Sequence, residues 1–294
     1  MINYAIHLPR HEGRCIASIP ERCIIREAAN PEEALANVML AESEVLEKLQ
    51  SSGLPLPPSV DRIKSRKSEL YFEEIGTQFD DWMSLYDVRQ RIDLIKQFIP
   101  INVSEMSCLE VGCGTGKISE AIISLVKRLT VSDLSEKLSE EVGIRLKVNW
   151  TPQDACNLSF PDNTFDIVIS SECIEHTPNP KQALVEMARV VRNNGTIIIT
   201  SPNKIWYPIL LLSVITKIRK FRGNEIWLFP WEAADVLKKH DIADIQFGGC
   251  HLFPWQIPVA RYILPLFDRL NKLLYPVMIN YGICGKKRIS IKNM

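Results

Sequence analysis

The sequence has no excess of charge of either sign: 35 Lys and Arg stand against 35 Asp and Glu over 294 residues. A neutral chain has no general electrostatic grip on a polyanion, so non-specific nucleic-acid binding is disfavoured as its function. It also lacks a Cys-x-x-Cys pair, and none of its eight cysteines has metal-like spacing with a histidine. That argues against a disulfide framework and for reduced thiols in a cytoplasmic setting. Residues 1–15 contain no continuous apolar run, which predicts no secretory signal. The apolar stretch 205–216 has only 12 residues, whereas a helix crossing a bilayer needs about 20.

What is present is a glycine turn. Cys108-Leu109-Glu110-Val111 is an apolar run with one carboxylate, and Gly112-Cys113-Gly114-Thr115-Gly116 follows it. Residues 117–123 then have helical spacing. A strand, a turn without bulky side chains and a helix start let backbone N–H groups approach a ligand closely. The spacing narrows the ligand. A dinucleotide fingerprint has two residues between its second and third glycines, but here Thr115 stands alone between Gly114 and Gly116. A phosphate loop has four residues between its glycines and a hydroxyl after its lysine. Here there are three, and Ile118 follows Lys117. Both pyrophosphate readings fail by a residue.

The pattern Glu-Val-Gly-Cys-Gly-Thr-Gly resembles the first motif of class I S-adenosylmethionine-dependent methyltransferases. Later segments resemble the family in the right order. Asp133 lies 21 positions after Gly112, at the end of the short apolar run 129–131. Asp154-Ala155 is followed by Phe165-Asp166 and an apolar strand to Ser170. Glu186, Arg189 and Gly195 fit the family's helix before its fifth strand. The resemblance runs from about residue 70 to 203. It implies a cofactor site of Glu110, Gly112, Cys113, Gly114, Thr115, Gly116, Asp133, Leu134, Asp154, Ala155 and Ser171. Within it Asp133 would hold the ribose hydroxyls, Asp154 the adenine amino group and the Ala155 N–H a ring nitrogen.

The implied fold is α/β: a three-layer, Rossmann-like sandwich whose seven-stranded, mostly parallel sheet has an antiparallel last strand, with N-terminal helices and a C-terminal helical insertion. Residues 1–59 read as a helical appendage and linker, with a capping box at Asn30 to Glu33, a helical stripe to Leu49 and the proline-rich 54–59. Residues 60–294 read as the methyltransferase domain, its apolar lid or insertion lying within 202–280. Residues 72–98 carry an aromatic-rich helical face that either shapes the acceptor pocket or packs in the core. Residues 147–153 suggest a strand at the sheet edge, since Pro152 removes a ladder donor. Asn179 and Pro180 start a helix, residues 193–195 end it, and 196–200 form a buried strand. Trp231, Val236 and Leu237 are core candidates, and residues 255–279 form an amphipathic stretch broken at Pro265. Residues 286–288 read as a solvated tail.

The segment after the fourth strand of the family's order, residues 171–178, carries the reactive groups. On a helical turn Glu172, Glu175 and His176 share one face at i, i+3 and i+4. Such a trio can hold a divalent metal, and a similar Glu-x-x-Glu-His turn occurs in ubiquinone-pathway O-methyltransferases and small-RNA 2′-O-methyltransferases. His251 is the remaining candidate for a fourth ligand. Alternatively the trio orients the acceptor, with His176 as a general base that needs no metal. Residues 205–222 join the apolar stretch to Lys217, Arg219, Lys220 and Arg222, giving either a lid over a greasy acceptor or a peripheral membrane contact.

Together these readings give a methyltransferase using S-adenosylmethionine, with a divalent metal as a possible second cofactor. The expected acceptor is an oxygen on a small apolar or lipid-linked molecule. Two other readings stand beside it: a non-catalytic cofactor-binding scaffold and a nicotinamide-dependent oxidoreductase, the latter disfavoured by the glycine spacing and Asp154.

Overall fold

The computed structural model describes residues 10–11, 14–19, 24–28, 37, 85–209, 225–253 and 260–289. The chain divides into two compact units, Met1–Lys64 and Ser65–Met294. The predicted helix over 31–49 apart from Asn37, the linker 54–59, the aromatic face over 72–84 and the apolar and basic residues 210–222 lie outside the described residues.

In the first unit β1 (Arg10–His11), β2 (Arg14–Ile19) and β3 (Ile24–Ala28) form a three-stranded antiparallel sheet. The helical appendage read from the sequence over 1–59 is corrected at these residues, which are strands. The strands are short, and β-branched Ile16, Ile19, Ile24 and Ile25 were their only signal.

The second unit begins with α1 (Leu85–Phe98), followed by β4 (Ser107–Val111), α2 (Lys117–Ile122), β5 (Arg128–Asp133), α3 (Glu136–Leu146) and β6 (Asn149–Pro152). Next come β7 (Phe165–Ser171), α4 (Pro180–Val190), β8 (Val191–Pro202), α5 (Pro230–Lys239), β9 (Ile242–Cys250), α6 (Ala260–Asp268), α7 (Asn271–Leu274) and β10 (Asn280–Lys287). The seven strands are ordered β6-β5-β4-β7-β8-β10-β9. β10 runs antiparallel to both neighbours, and β4, β5, β6, β7 and β8 pair in parallel. The expected α/β sheet with an antiparallel last strand is therefore present.

Alternation along the central strands builds a core on each face. Val168, Ile197 and Ile199 pack on one side with Leu184 and Met187 of α4. Ile167, Ile169 and Ile198 pack on the other with Leu94 and Ile95 of α1. Neighbours in sequence enter opposite layers because strand side chains have a period of two. Each fully buried Ile or Leu contributes about 1.5–3 kcal/mol.

Local signals set the boundaries. Ser135 Oγ accepts from Leu138 N at 3.2 Å, starting α3. Asn179 Oδ1 accepts from Gln182 N at 3.1 Å with Pro180 at the first helical position, starting α4. β6 is an edge strand ending at Pro152, where a missing donor costs least.

Several expectations are corrected. β8 starts at Val191, not after Gly195; its exposed residues 192–194 sit where the pairing with β7 shifts register. Trp231, expected in the core, is 49% exposed and stacks on Phe229 at the start of α5. Lys287 is not solvated tail. Its Nζ donates to the carbonyls of Arg189 and Val191 at 3.0 and 2.9 Å, tying β10 to the α4–β8 junction.

Candidate active site

The glycine turn joins β4 to α2 at the carboxyl ends of the parallel strands. Gly112, Gly114 and Gly116 have φ of 76°, 51° and 84°, all left-handed. Only glycine takes this conformation without strain, which explains their alternation with Cys113 and Thr115. Gly112 N and Cys113 N both donate to Ser132 O, at 2.8 and 2.9 Å, fixing the turn to β5. Arg145 of α3 closes it from outside, its Nη2 donating to Thr115 O at 2.6 Å. A Cβ on Gly114 would meet no atom within 4 Å. The turn therefore borders open space at that residue, a cradle that a side chain would fill.

Beside this turn stands the acid that ends β5. Asp133, the last residue of β5, accepts from Gly114 N at 2.9 Å and Ser135 N at 3.0 Å. Leu134 follows it, half-buried. Asp154, just after β6, accepts from Cys156 N at 2.8 Å, which shapes a tight turn around buried Ala155. Glu110 points into the sheet–helix layer, where its Oε2 accepts from Ser119 Oγ at 2.5 Å. Burial lifts its carboxyl to about 8 despite the Ser119 bond, with the Asp133 charge adding to the rise.

The turn after β7 departs from the helical expectation. Glu172 has φ of 51°, and only Ile174–His176 forms a short 3-10 helix. The i, i+3, i+4 face therefore never forms. Glu172 Oε2 accepts from Asn280 Nδ2 at 2.7 Å, whereas Glu175 Oε2 accepts from Ser201 Oγ at 3.2 Å. His176 Nε2 lies 3.9 Å from Glu175 Oε1. Among the described residues no group of three His, Cys, Asp or Glu is disposed to hold a metal ion, so the predicted Glu172, Glu175 and His176 ligand set is not assembled. His251 does not complete it either; its Nε2 pairs with Asp87 Oδ1 at 3.0 Å. Ser171 is turned toward β8, its Oγ 2.8 Å from Thr200 Oγ1.

The two glutamates remain electrostatically linked. Burial raises the Glu175 carboxyl well above the usual range, and the Glu172 charge adds to it. Burial also raises Glu172, against the opposing pull of Arg91. Glu172 Oε1 and Asn280 Oδ1 are buried without a hydrogen-bond partner. Two adjacent acceptors lacking donors suit a group that brings its own O–H or N–H.

Sequence reasoning missed what surrounds this turn. Arg91 of α1 donates to Asp87 Oδ2 at 2.9 Å, and both are buried. Asp87 also meets His251 at the end of β9, and Asn280 opens β10. Cys173 packs directly on Gly112. The Asp87–Arg91 pair had a helical i, i+4 signal. The others come together only through the sheet order.

Residues 109–199 match the family model described as a methyltransferase domain. The ubiquinone biosynthesis O-methyltransferase of Colwellia psychrerythraea is 24% identical over 74% of this chain and 94% of its own length. The phosphatidylethanolamine N-methyltransferase of Cereibacter sphaeroides is 33% identical over 34% of this chain, and the chain spans about half of that relative (53%). Among solved structures, a methyltransferase of Thermotoga maritima shares the fold with a TM-score of 0.58 at 17% identity, covering 74% of this chain and 99% of that one.

Proposed function

We propose, from the premise that this chain is a class I S-adenosylmethionine-dependent methyltransferase, that it methylates an oxygen on a small apolar or lipid-linked acceptor. The observation that carries the cofactor part is the left-handed glycine turn with open space at Gly114, bordered by Asp133. In this reading Gly112 to Gly116, with Cys113 and Thr115, line the methionine part, and Glu110 fixes the turn from behind. Asp133 and Leu134 hold the ribose, Asp154 and Ala155 the adenine, and Ser171 borders the site at the end of β7. The bound cofactor supplies an activated methyl group on a sulfonium.

The chain's own task is then to align the acceptor and take its proton. Glu172 Oε1, buried and unpartnered, accepts from the acceptor's O–H, with Asn280 Oδ1 beside it. Where the acceptor's O–H instead faces the His176 ring, whose Nε2 lies 3.9 Å from Glu175 Oε1, His176 is the base that takes the proton. Burial, with the Glu172 charge adding to it, pushes the Glu175 carboxyl toward its protonated form.

The apolar acceptor is supported by the start of the 205–222 stretch. Ile205 and Ile209 are 45% and 51% exposed, and Tyr207 packs edge-on against Trp227. These side chains suit a greasy substrate or a peripheral membrane contact. The relatives named for ubiquinone biosynthesis and for phosphatidylethanolamine agree with a lipid-linked class of acceptor.

The test is transfer of labelled methyl from S-adenosylmethionine into lipid and small-molecule extracts, with the product's methyl assigned by NMR. A methyl on oxygen of an organic-soluble product is expected. A methyl on nitrogen, or label only in water-soluble products, overturns the acceptor reading and leaves the methyltransferase intact.

A further inference from the structure

The helical segment between β9 and β10 exposes an apolar stripe. Ile263, Leu266, Leu270, Leu273 and Val277 are 45%, 62%, 49%, 73% and 43% exposed. They recur every three or four residues through α6, α7 and the 3-10 turn Tyr275–Val277. Their neighbours Leu264, Asn271 and Met278 are buried, so the segment is anchored by its other face. Five large exposed apolar side chains within 15 residues exceed the scattered exposure ordinary for a soluble surface.

Charge identifies the occupant. Arg269 and Lys272 are exposed along the stripe. The only acid between residues 252 and 280 is Asp268. Its carboxylate is drawn inward, accepting from Tyr86 OH at 2.8 Å and from His251 N at 2.9 Å. Among the described residues of this segment, the outer face therefore shows apolar and positive groups and no exposed acid of its own. We infer that α6, α7 and the turn after them dock in the interface of an anionic lipid membrane, leucines in the acyl boundary and Arg269 and Lys272 among the headgroups.

A second copy of this chain fits less well. Twofold pairing on the stripe would bring Arg269 and Lys272 toward their own counterparts, and like charges facing each other oppose association. The break between α6 and α7 also prevents the straight seam of a two-helix coil. This surface is separate in sequence from residues 205–222, and its docking does not depend on which acceptor is methylated.

Sedimentation of the full chain with phosphatidylcholine vesicles, with and without phosphatidylglycerol, tests the inference. Wild type should bind the anionic vesicles, and added salt should weaken binding. Arg269→Glu with Lys272→Glu should lose at least about 25-fold in partitioning, taking about fivefold for each positive charge removed. Leu266→Asp with Leu273→Asp should lose at least about tenfold even at low salt. Circular dichroism and binding of labelled S-adenosylmethionine verify that each variant is folded. If the leucine pair does not fold, the charge pair alone decides, because both its residues are exposed. Three results would each overturn the inference: no vesicle binding by wild type, binding unchanged in the folded variants, or a wild-type dimer in light scattering that the variants dissociate.

Discussion

Cys173, two residues past β7, occupies the space next to Gly112 in the glycine turn: a Cβ on Gly112 would lie 2.2 Å from Cys173 Sγ and 2.5 Å from its Cβ. Gly112 is thus fixed twice, by a φ of 76° and by its neighbour's side chain. The turn bearing the glycines and the turn bearing Glu172 and Glu175 are one packed unit. A change in either is transmitted to the other.

Gly112→Ala should destabilise the protein by about 2–4 kcal/mol, combining left-handed strain with overpacking. Cys173→Gly removes both clashing atoms, so the double variant should recover the overpacking part and keep the strain. Chemical denaturation of the two singles and the double gives the coupling. Strict additivity would mean that the two turns do not press on each other.

Gly114→Ala is the contrasting case. Its Cβ meets no protein atom within 4 Å, so the cost to the fold is confined to the strain at φ of 51°, about 1–2 kcal/mol. The new methyl enters the space assigned to the cofactor. Affinity for S-adenosylmethionine should fall at least about tenfold, or ~1.4 kcal/mol, measured by titration calorimetry. Unchanged affinity would remove this cradle from the cofactor site.

The sheet was legible because its strands are short β-branched runs whose alternate residues enter opposite core layers, as Ile197, Ile198 and Ile199 do. The glycine turn was legible because left-handed backbone nearly requires glycine. The start of β8 was hidden, since Asn193-Asn194-Gly195 reads as a loop but lies within the strand at a register shift. The shared face of Glu172, Glu175 and His176 failed for a local reason: the left-handed Glu172 precedes a 3-10 turn, and helical spacing does not apply there. Asp87 and His251 are 164 residues apart and meet only in the folded chain, so no spacing rule relates them.

Glu110 should leave a signature in the pH dependence of stability. Its carboxyl rises from 4.5 to about 8 on folding, chiefly by burial. The folded state therefore binds more protons than the unfolded state between these values, and stability falls as pH rises through that window. Below it both states hold the proton, and the penalty vanishes. Over the window Glu110 costs on the order of a few kcal/mol. Glu110→Gln should flatten the slope of unfolding free energy between acid and mildly alkaline pH, read from urea denaturation without cofactor. A slope as steep as wild type would show that Glu110 is ionised at little cost.

Asp87 should act with the opposite sign and a larger mutational effect. Burial pushes its carboxyl up, but Arg91 and His251 outweigh burial and hold it below the usual 3.8. Its pairing thus stabilises the fold above that pH, and the contribution is lost as pH falls through the folded value. Arg91 and Asp87 side chains are only 6% and 7% exposed. Asp87→Asn leaves the guanidinium buried beside a neutral amide, and loss of one member of such a pair costs about 3–5 kcal/mol. Arg91→Met added to Asp87→Asn removes that stranded charge and should restore part of the loss. Because the Arg91 charge lowers the Glu172 carboxyl more than the Asp87 charge raises it, the double variant should raise Glu172 by the difference, visible as an upward shift of its carbon-13 carboxyl titration. Recovered stability with an unshifted Glu172 would make the pair a purely structural strut, whereas both changes together would show that α1 sets the charge of the turn after β7.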